Sequence, residues 1–434
     1  MLFLALALSF APLDLIVYES GGQVIVDQSD VDPDDDLLVR GGPPNMTDWT
    51  YLFITDVAAV QSVTLEQGGS AILEDSAQVL TDVTIENGGA CHLADLASIA
   101  GRFEVQSGGA ASTSSTGTIG SVVIAQGGAM NGLHGVTVLG DVTVLGESYL
   151  GVATTIQGTT SFDGAQSHLA RGTTFDGPVE LGAQVAVEFE SADCHDVVRL
   201  TGASLGRFTG STLHGGLILE DASRARLQTG NMISGTMDLR ATSSAVVVLL
   251  GANYPDGAIL DLSGVISGTD LGGAPLSFPF VREPGTELII AINSSSIGTT
   301  ICAQSIPNTL GVFAHITAAG SDLAAAGEFE LTASDLPNNS FGYFLVGTQV
   351  GLVATPIGEV CVGGNIGRFV GPGQIMNTGS NGSYTLTIVG PFPGNPATAI
   401  ASGSTYVFQS WNREPFLNPP TNSRLSDAVS ILFR

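Results

Sequence analysis

Apolar and polar residues alternate in short runs along most of the chain, and each run is closed by Gly, Asn, Asp or Ser. Alternation with a period of two puts successive side chains on opposite faces of an extended strand, and the closing residues are turn formers. No long stretch carries the apolar spacing of an amphipathic helix. The pattern predicts an all-β protein.

The runs recur. Val63-Thr64-Leu65, Val83-Thr84-Ile85, Phe103-Glu104-Val105, Val122-Val123-Ile124 and Val142-Thr143-Val144 are followed by Thr160-Ser161-Phe162, Val179-Glu180-Leu181, Val198-Arg199-Leu200, Leu217-Ile218-Leu219, Met237-Asp238-Leu239 and Leu260-Asp261-Leu262. All but the Thr160 unit read apolar–variable–apolar. Ten steps carry Leu65 to Leu262, a mean of 19.7 residues. The first four units add a glycine pair three residues on: Gly68-Gly69, Gly88-Gly89, Gly108-Gly109 and Gly127-Gly128. A period near twenty without helices predicts one coil per repeat. A single coil cannot bury its apolar side, whereas stacked coils can, with their backbones paired in parallel. Eleven such coils form a parallel β-helix, right-handed by the general preference of crossover connections.

In the middle of the repeat the register is sharper. Phe162, Leu181, Leu200 and Leu219 are nineteen residues apart. Eight residues on, the column reads Ala170, Phe189, Phe208, Leu227. Thirteen on, it reads Phe175, Cys194, Leu213, Met232. Seventeen on, it reads Val179, Val198, Leu217, after which Met237 takes the apolar place beside Thr236. Three apolar columns per coil predict three sheets around a dry core.

The period divides the chain. Residues 1–11 read as the apolar core of a signal peptide ending in the small-x-small triplet Ser9-Phe10-Ala11. Residues 12–59 read as an N-terminal cap with the first strands, 60–273 as the β-helix, and 274–299 as a connecting segment. From about residue 300 the period is lost and aromatics increase. Tyr343-Phe344-Leu345-Val346, Tyr384-Thr385-Leu386-Thr387-Ile388-Val389 and Tyr406-Val407-Phe408 predict a compact β-sandwich over 300–434.

Composition narrows the chemistry. Of 434 residues 44% are hydrophobic, enough for a buried core, and 41 acids face 13 bases. Every base is arginine, which excludes a Schiff-base lysine and a phosphate-loop lysine. A net charge of −28 repels nucleic acid and anionic membranes and leaves cations, neutral glycans and basic surfaces as partners. Beyond the first residues no run reaches the eighteen apolar residues of a membrane span. Nothing in the sequence fixes an oligomeric state.

The final third carries distinctive wording. Cys302 is followed by Pro307-Asn308-Thr309-Leu310-Gly311, then Asn339-Ser340-Phe341-Gly342-Tyr343-Phe344 and the run from Cys361-Val362-Gly363-Gly364-Asn365 to Gly371-Pro372-Gly373-Gln374. Phe408-Gln409-Ser410-Trp411-Asn412-Arg413 and Ser426-Asp427-Ala428-Val429-Ser430-Ile431 complete it. These motifs resemble a C-terminal module at the ends of secreted proteins of certain marine bacteria, and the resemblance implies secretion rather than a reaction. In period and glycine use the solenoid is similar to passenger regions of bacterial adhesins. In an exported module, Cys302 and Cys361 are expected to form a disulfide. Cys91 and Cys194 lie about five coils apart, too far to bond, and Cys194 falls in an inward column.

Three constellations are candidates for chemistry. Asp176, His195 and His214 occupy one position in successive coils, where strand spacing of about 4.8 Å suits a metal; a solvated polar stripe is the alternative. Glu188, Arg207 and Arg226 form another column, with Glu180 stacked on Arg199. A β-helix polysaccharide lyase needs such arginines beside clustered acids, whereas cross-coil pairing on a wet surface needs nothing further. Asp30, Asp32 and Asp34, in the run from Asp27 to Asp36, offer carboxylates to Ca2+, or form a solvated cap. Three functions follow: a secreted non-enzymatic structural or adhesive β-helix of the bacterial exterior, a β-helix carbohydrate-active enzyme, and a calcium-binding surface-layer component. The first is preferred, because fold alone does not imply activity.

Overall fold

The computed structural model describes residues 15–18, 22–27, 30–40, 50–55 and 58–434, apart from 165, 183, 229, 253, 305, 395 and 415–421. The signal-peptide segment lies outside the described residues. Two compact units divide the chain, one within Met1–Val247 and Ile259–Leu288, the other within Val248–Ala258 and Ile289–Arg434.

The first unit is a parallel β-solenoid whose rungs are stacked by backbone hydrogen bonds. The apolar–variable–apolar units form one face. Val63–Leu65 pairs in parallel with Val83–Ile85, which pairs with Phe103–Val105, and the ladder runs on to Met237–Leu239. A second face is a sheet of thirteen strands among the described residues. A third is made of two-residue pairings such as Thr174–Phe175 on Asp193–Cys194. Alternation decides which side chains enter. In Ser62–Glu66, Val63 and Leu65 are buried while their neighbours are partly exposed. The three columns meet in the core, where Phe189 stacks on Phe208 with ring centroids 4.8 Å apart and planes 5° apart, at the spacing of adjacent rungs.

The glycine pairs solve a corner problem. Gly68, Gly88, Gly108 and Gly127 have φ between 80° and 89°, a region open to glycine at little cost. A Cβ on Gly69, Gly89, Gly109 or Gly128 would stand 2.2–2.8 Å from a carbonyl oxygen of the rung below. The first glycine turns the chain and the second lets rungs stack.

The ladder departs from the period in the middle and towards both ends. Leu213 pairs with Ile233, not Met232; Ile233 is buried and Met232 is 61% exposed. The extra residue enters at the corner before Met232, where Asn231 is buried and its Nδ2 donates to Phe208 O at 2.7 Å. Leu260-Asp261-Leu262 is not a rung. The strand on Met237–Leu239 is Phe280–Arg282, in the strand Pro275–Arg282 that also forms an antiparallel hairpin with Ser263–Thr269. Alternation alone does not separate that hairpin from a coil. The expected connecting segment therefore carries ladder strands, Pro275–Arg282 and Glu287–Ile292. At the other end, Leu15–Tyr18 pairs with Asp36–Arg40, which pairs with Ser62–Glu66, so parallel rungs begin within the expected cap.

The second unit holds antiparallel sheets. Thr299–Ile301, Ser423–Leu432, Thr405–Arg413, Phe341–Gly347 and Gly367–Arg368 form one sheet, with Met376–Asn377 alongside. His315–Gly320, Glu328–Ser334 and Tyr384–Val389 form another, and Gln349–Thr355 with Gly358–Gly363 forms a hairpin. Inward residues of the first two meet: Phe329 lies 5.2 Å from Phe408 and 5.5 Å from Phe433, centroid to centroid. Ile316, Leu331, Phe344, Ile388 and Ile431 complete a sandwich core.

Candidate functional site

On the third face the two-residue strands Thr174–Phe175, Asp193–Cys194 and Thr212–Leu213 stack in parallel. Phe175, Cys194 and Leu213 point inward and are fully buried. The residues on either side of each therefore point outward. This places Asp176, His195 and His214 in one exposed column, and Asp193 in the adjoining one.

The side chains converge. His195 Nδ1 lies 2.7 Å from Asp176 Oδ1, and His195 Nε2 lies 3.2 Å from Asp193 Oδ2. His214 Nε2 lies 3.1 Å from Asp193 Oδ1. The two imidazoles meet edge to face, 5.2 Å apart. Asp193 thus bridges both histidines, while Asp176 holds the far side of one. The hydrogen bond to Asp176, with the Asp193 charge adding, raises the His195 pKa above the usual histidine range against a smaller opposing effect of burial. Column reasoning missed Asp193. Its signal was the Asp193-Cys194-His195 triplet, two outward side chains around an inward one, diagonal to His214 across the rungs.

The other candidates are placed differently. Glu188, Arg207 and Arg226 share a register line, but Glu188 is exposed and Arg226 is buried. Glu180 is in register with Arg199, yet the Arg199 guanidinium reaches Glu220 at 2.9 Å, which also takes Arg240 at 2.9 Å. Asp30 Oδ2 accepts from Asp27 N at 3.1 Å and Asp35 Oδ2 from Asp32 N at 2.7 Å. These are turn bonds, and Asp30, Asp32 and Asp34 are exposed. Asp193, His195 and His214 are the one group of three potential metal ligands within 4.8 Å of one another among the described residues.

No family model, curated protein or solved structure matches this chain. The motif residues of the final third are therefore read from their own contacts, and they build a buried polar network. Gln409 Oε1 accepts from Cys361 N at 2.9 Å, and its Nε2 donates to Ser426 O at 2.8 Å. Ser426 Oγ accepts from Ser410 N at 2.9 Å, and Asp427 Oδ1 accepts from Ile316 N at 2.8 Å. Gln409, Ser410 and Ser426 are fully buried. Such a network specifies a fold when its members are satisfied. Cys302 and Cys361 are joined by a disulfide, with Cα atoms 6.2 Å apart. Cys91 and Cys194 are free and buried. Burial pushes both thiols up to about 12, which makes them unreactive at neutral pH.

Proposed function

We propose that the protein is a secreted, non-enzymatic structural or adhesive β-solenoid of the bacterial exterior. The observation that carries this reading is where the charged side chains of the solenoid go. Arg199 and Arg240 share Glu220, Arg240 also binds Asp238 at 2.6 Å, Arg40 binds Glu66 at 2.7 Å, and Arg171 binds Glu190. These pairs run across or along rungs, so the charge serves the stack. Export is supported by the Cys302–Cys361 disulfide, since such bonds persist in oxidising compartments. No helix among the described residues is long and apolar enough to cross a membrane.

The carbohydrate-active alternative requires an arginine or histidine beside clustered acids in a groove. The test is one preparation of the full chain, applied to a glycan array and to a panel of lyase and hydrolase substrates. Binding without turnover supports the structural reading; turnover of any glycan refutes it.

A further inference from the structure

Each of the two histidines on the third face is paired with a carboxylate, and the pairing has a chemical cost. His195 has a carboxylate oxygen at both ring nitrogens, Asp176 at Nδ1 and Asp193 at Nε2. A neutral imidazole carries one N–H and can donate to only one of them. The second contact needs another positive centre at Nε2, either a proton or a metal ion. Asp193 bridges the pair, its two oxygens meeting Nε2 of His195 and Nε2 of His214.

We propose that Asp193, His195 and His214 form a binding site for a divalent transition-metal ion of the zinc type, with Asp176 as a positioning residue. Two imidazole nitrogens and one carboxylate oxygen are the donor set such ions prefer, and calcium or magnesium would want oxygen alone. The spacing fits. With metal–ligand bonds of about 2.0–2.1 Å, tetrahedral ligand atoms stand roughly 3.3 Å apart. Nε2 of His195 and Nε2 of His214 lie 3.2 and 3.1 Å from the two oxygens of the one Asp193 carboxylate, Oδ2 and Oδ1, and one ligand atom from each of the three residues lies within 4.8 Å of the others. Rotation of the Asp193 carboxylate and of the two exposed imidazoles brings one oxygen and both nitrogens to that spacing. Asp176 at His195 Nδ1 is the outer carboxylate that fixes the tautomer of a metal-bound histidine and aims Nε2 at the ion. Three protein ligands on an open face leave a fourth position to water.

The remaining histidines lack this arrangement. His92 meets Ser112 and Ser114, His168 meets Ser148, and His134 lies edge-on to Tyr149. His315 meets Asp427. They lack a second histidine in register: Cys194 pairs with Leu213, which puts the outward His195 and His214 that follow them one strand spacing apart.

The experiment is zinc titration of the full, chelator-stripped chain by calorimetry in excess calcium, which saturates carboxylate sites on this acidic surface without competing for imidazole. One zinc per chain is expected. His195→Ala and His214→Ala each weaken binding by at least about tenfold, and Asp176→Asn by roughly 10- to 100-fold. Copper(II) bound in place of zinc should show magnetic coupling to two nitrogens, and to one in either alanine variant. All three residues are exposed or half-exposed, so unchanged melting curves establish that the variants are folded. Binding by the His195→Ala/His214→Ala double variant equal to that of the parent overturns the proposal. So does zinc binding that excess calcium abolishes, or copper coupled to no nitrogen.

Discussion

Among the polar residues buried inside the solenoid, Thr160 and His168 each make a testable statement. Thr160 stands between Val142 and Val179 in the first-face ladder. It is fully buried, and its Oγ1 has no hydrogen-bond partner among the described residues. A buried hydroxyl without a partner is a net cost, and valine has nearly the same shape. Thr160→Val should raise stability by about 1 kcal/mol, read as a higher urea midpoint; a lower midpoint would contradict the assignment. His168 is buried with Nδ1 3.0 Å from Ser148 Oγ, its ring tilted against Phe162. Burial lowers its pKa from 6.5 to about 4. A depressed folded-state value means that the unfolded chain takes up the proton first. The stability this histidine contributes is complete above about pH 6.5 and is lost as pH falls towards about 4. His168→Gln should flatten the acid side of the melting-temperature profile across that window relative to the parent. Profiles that fall in parallel would show that His168 does not titrate on unfolding.

At the scale of elements, the glycine corners and the ladder register hold the stack together. Gly89→Ala drives a Cβ to 2.6 Å from Leu65 O, a backbone atom that cannot swing away, and should cost about 3 kcal/mol. Gly88→Ala meets nothing closer than 3.4 Å and bears only the left-handed backbone, about 1 kcal/mol. Comparison of the two unfolding midpoints checks the order, and equal losses would argue against close stacking at the second glycine. Register also explains what the sequence revealed. From Val63 to Leu239 corners vary by only a residue or two, so a repeat search finds the rungs and their three inward columns. Leu38 to Thr64 and Met237 to Phe280 are also single steps of the ladder, but 26 and 43 residues long. Pairing tolerates such excursions and a fixed period does not, so the outer rungs were hidden and Leu260 was misplaced. The site was half legible for a related reason. Asp176, His195 and His214 share a column, while Asp193 joins them diagonally.

For the whole molecule, the two units are stabilised by different means. The solenoid relies on stacked rungs, whereas the sandwich adds a covalent closure between residues 59 apart, worth about 2–4 kcal/mol. Reductant should therefore lower the unfolding transition of the C-terminal unit and leave that of the solenoid in place. Calorimetry with and without dithiothreitol decides this, and a shift of the solenoid transition alone would refute it. The nineteen-residue register has a further consequence. Leu181 and Leu200 occupy the same place in neighbouring rungs, so the stretch 182–200 begins and ends in the same phase. Its excision should yield a cooperatively folding chain one rung shorter, detectable by circular dichroism and a single solenoid transition. A cut several residues shorter or longer should not, because the surplus would turn inward side chains out. Such a chain can lengthen or shorten through the in-frame duplication or loss of one block, so its reach is open to inheritance in whole steps without any new folding problem being solved.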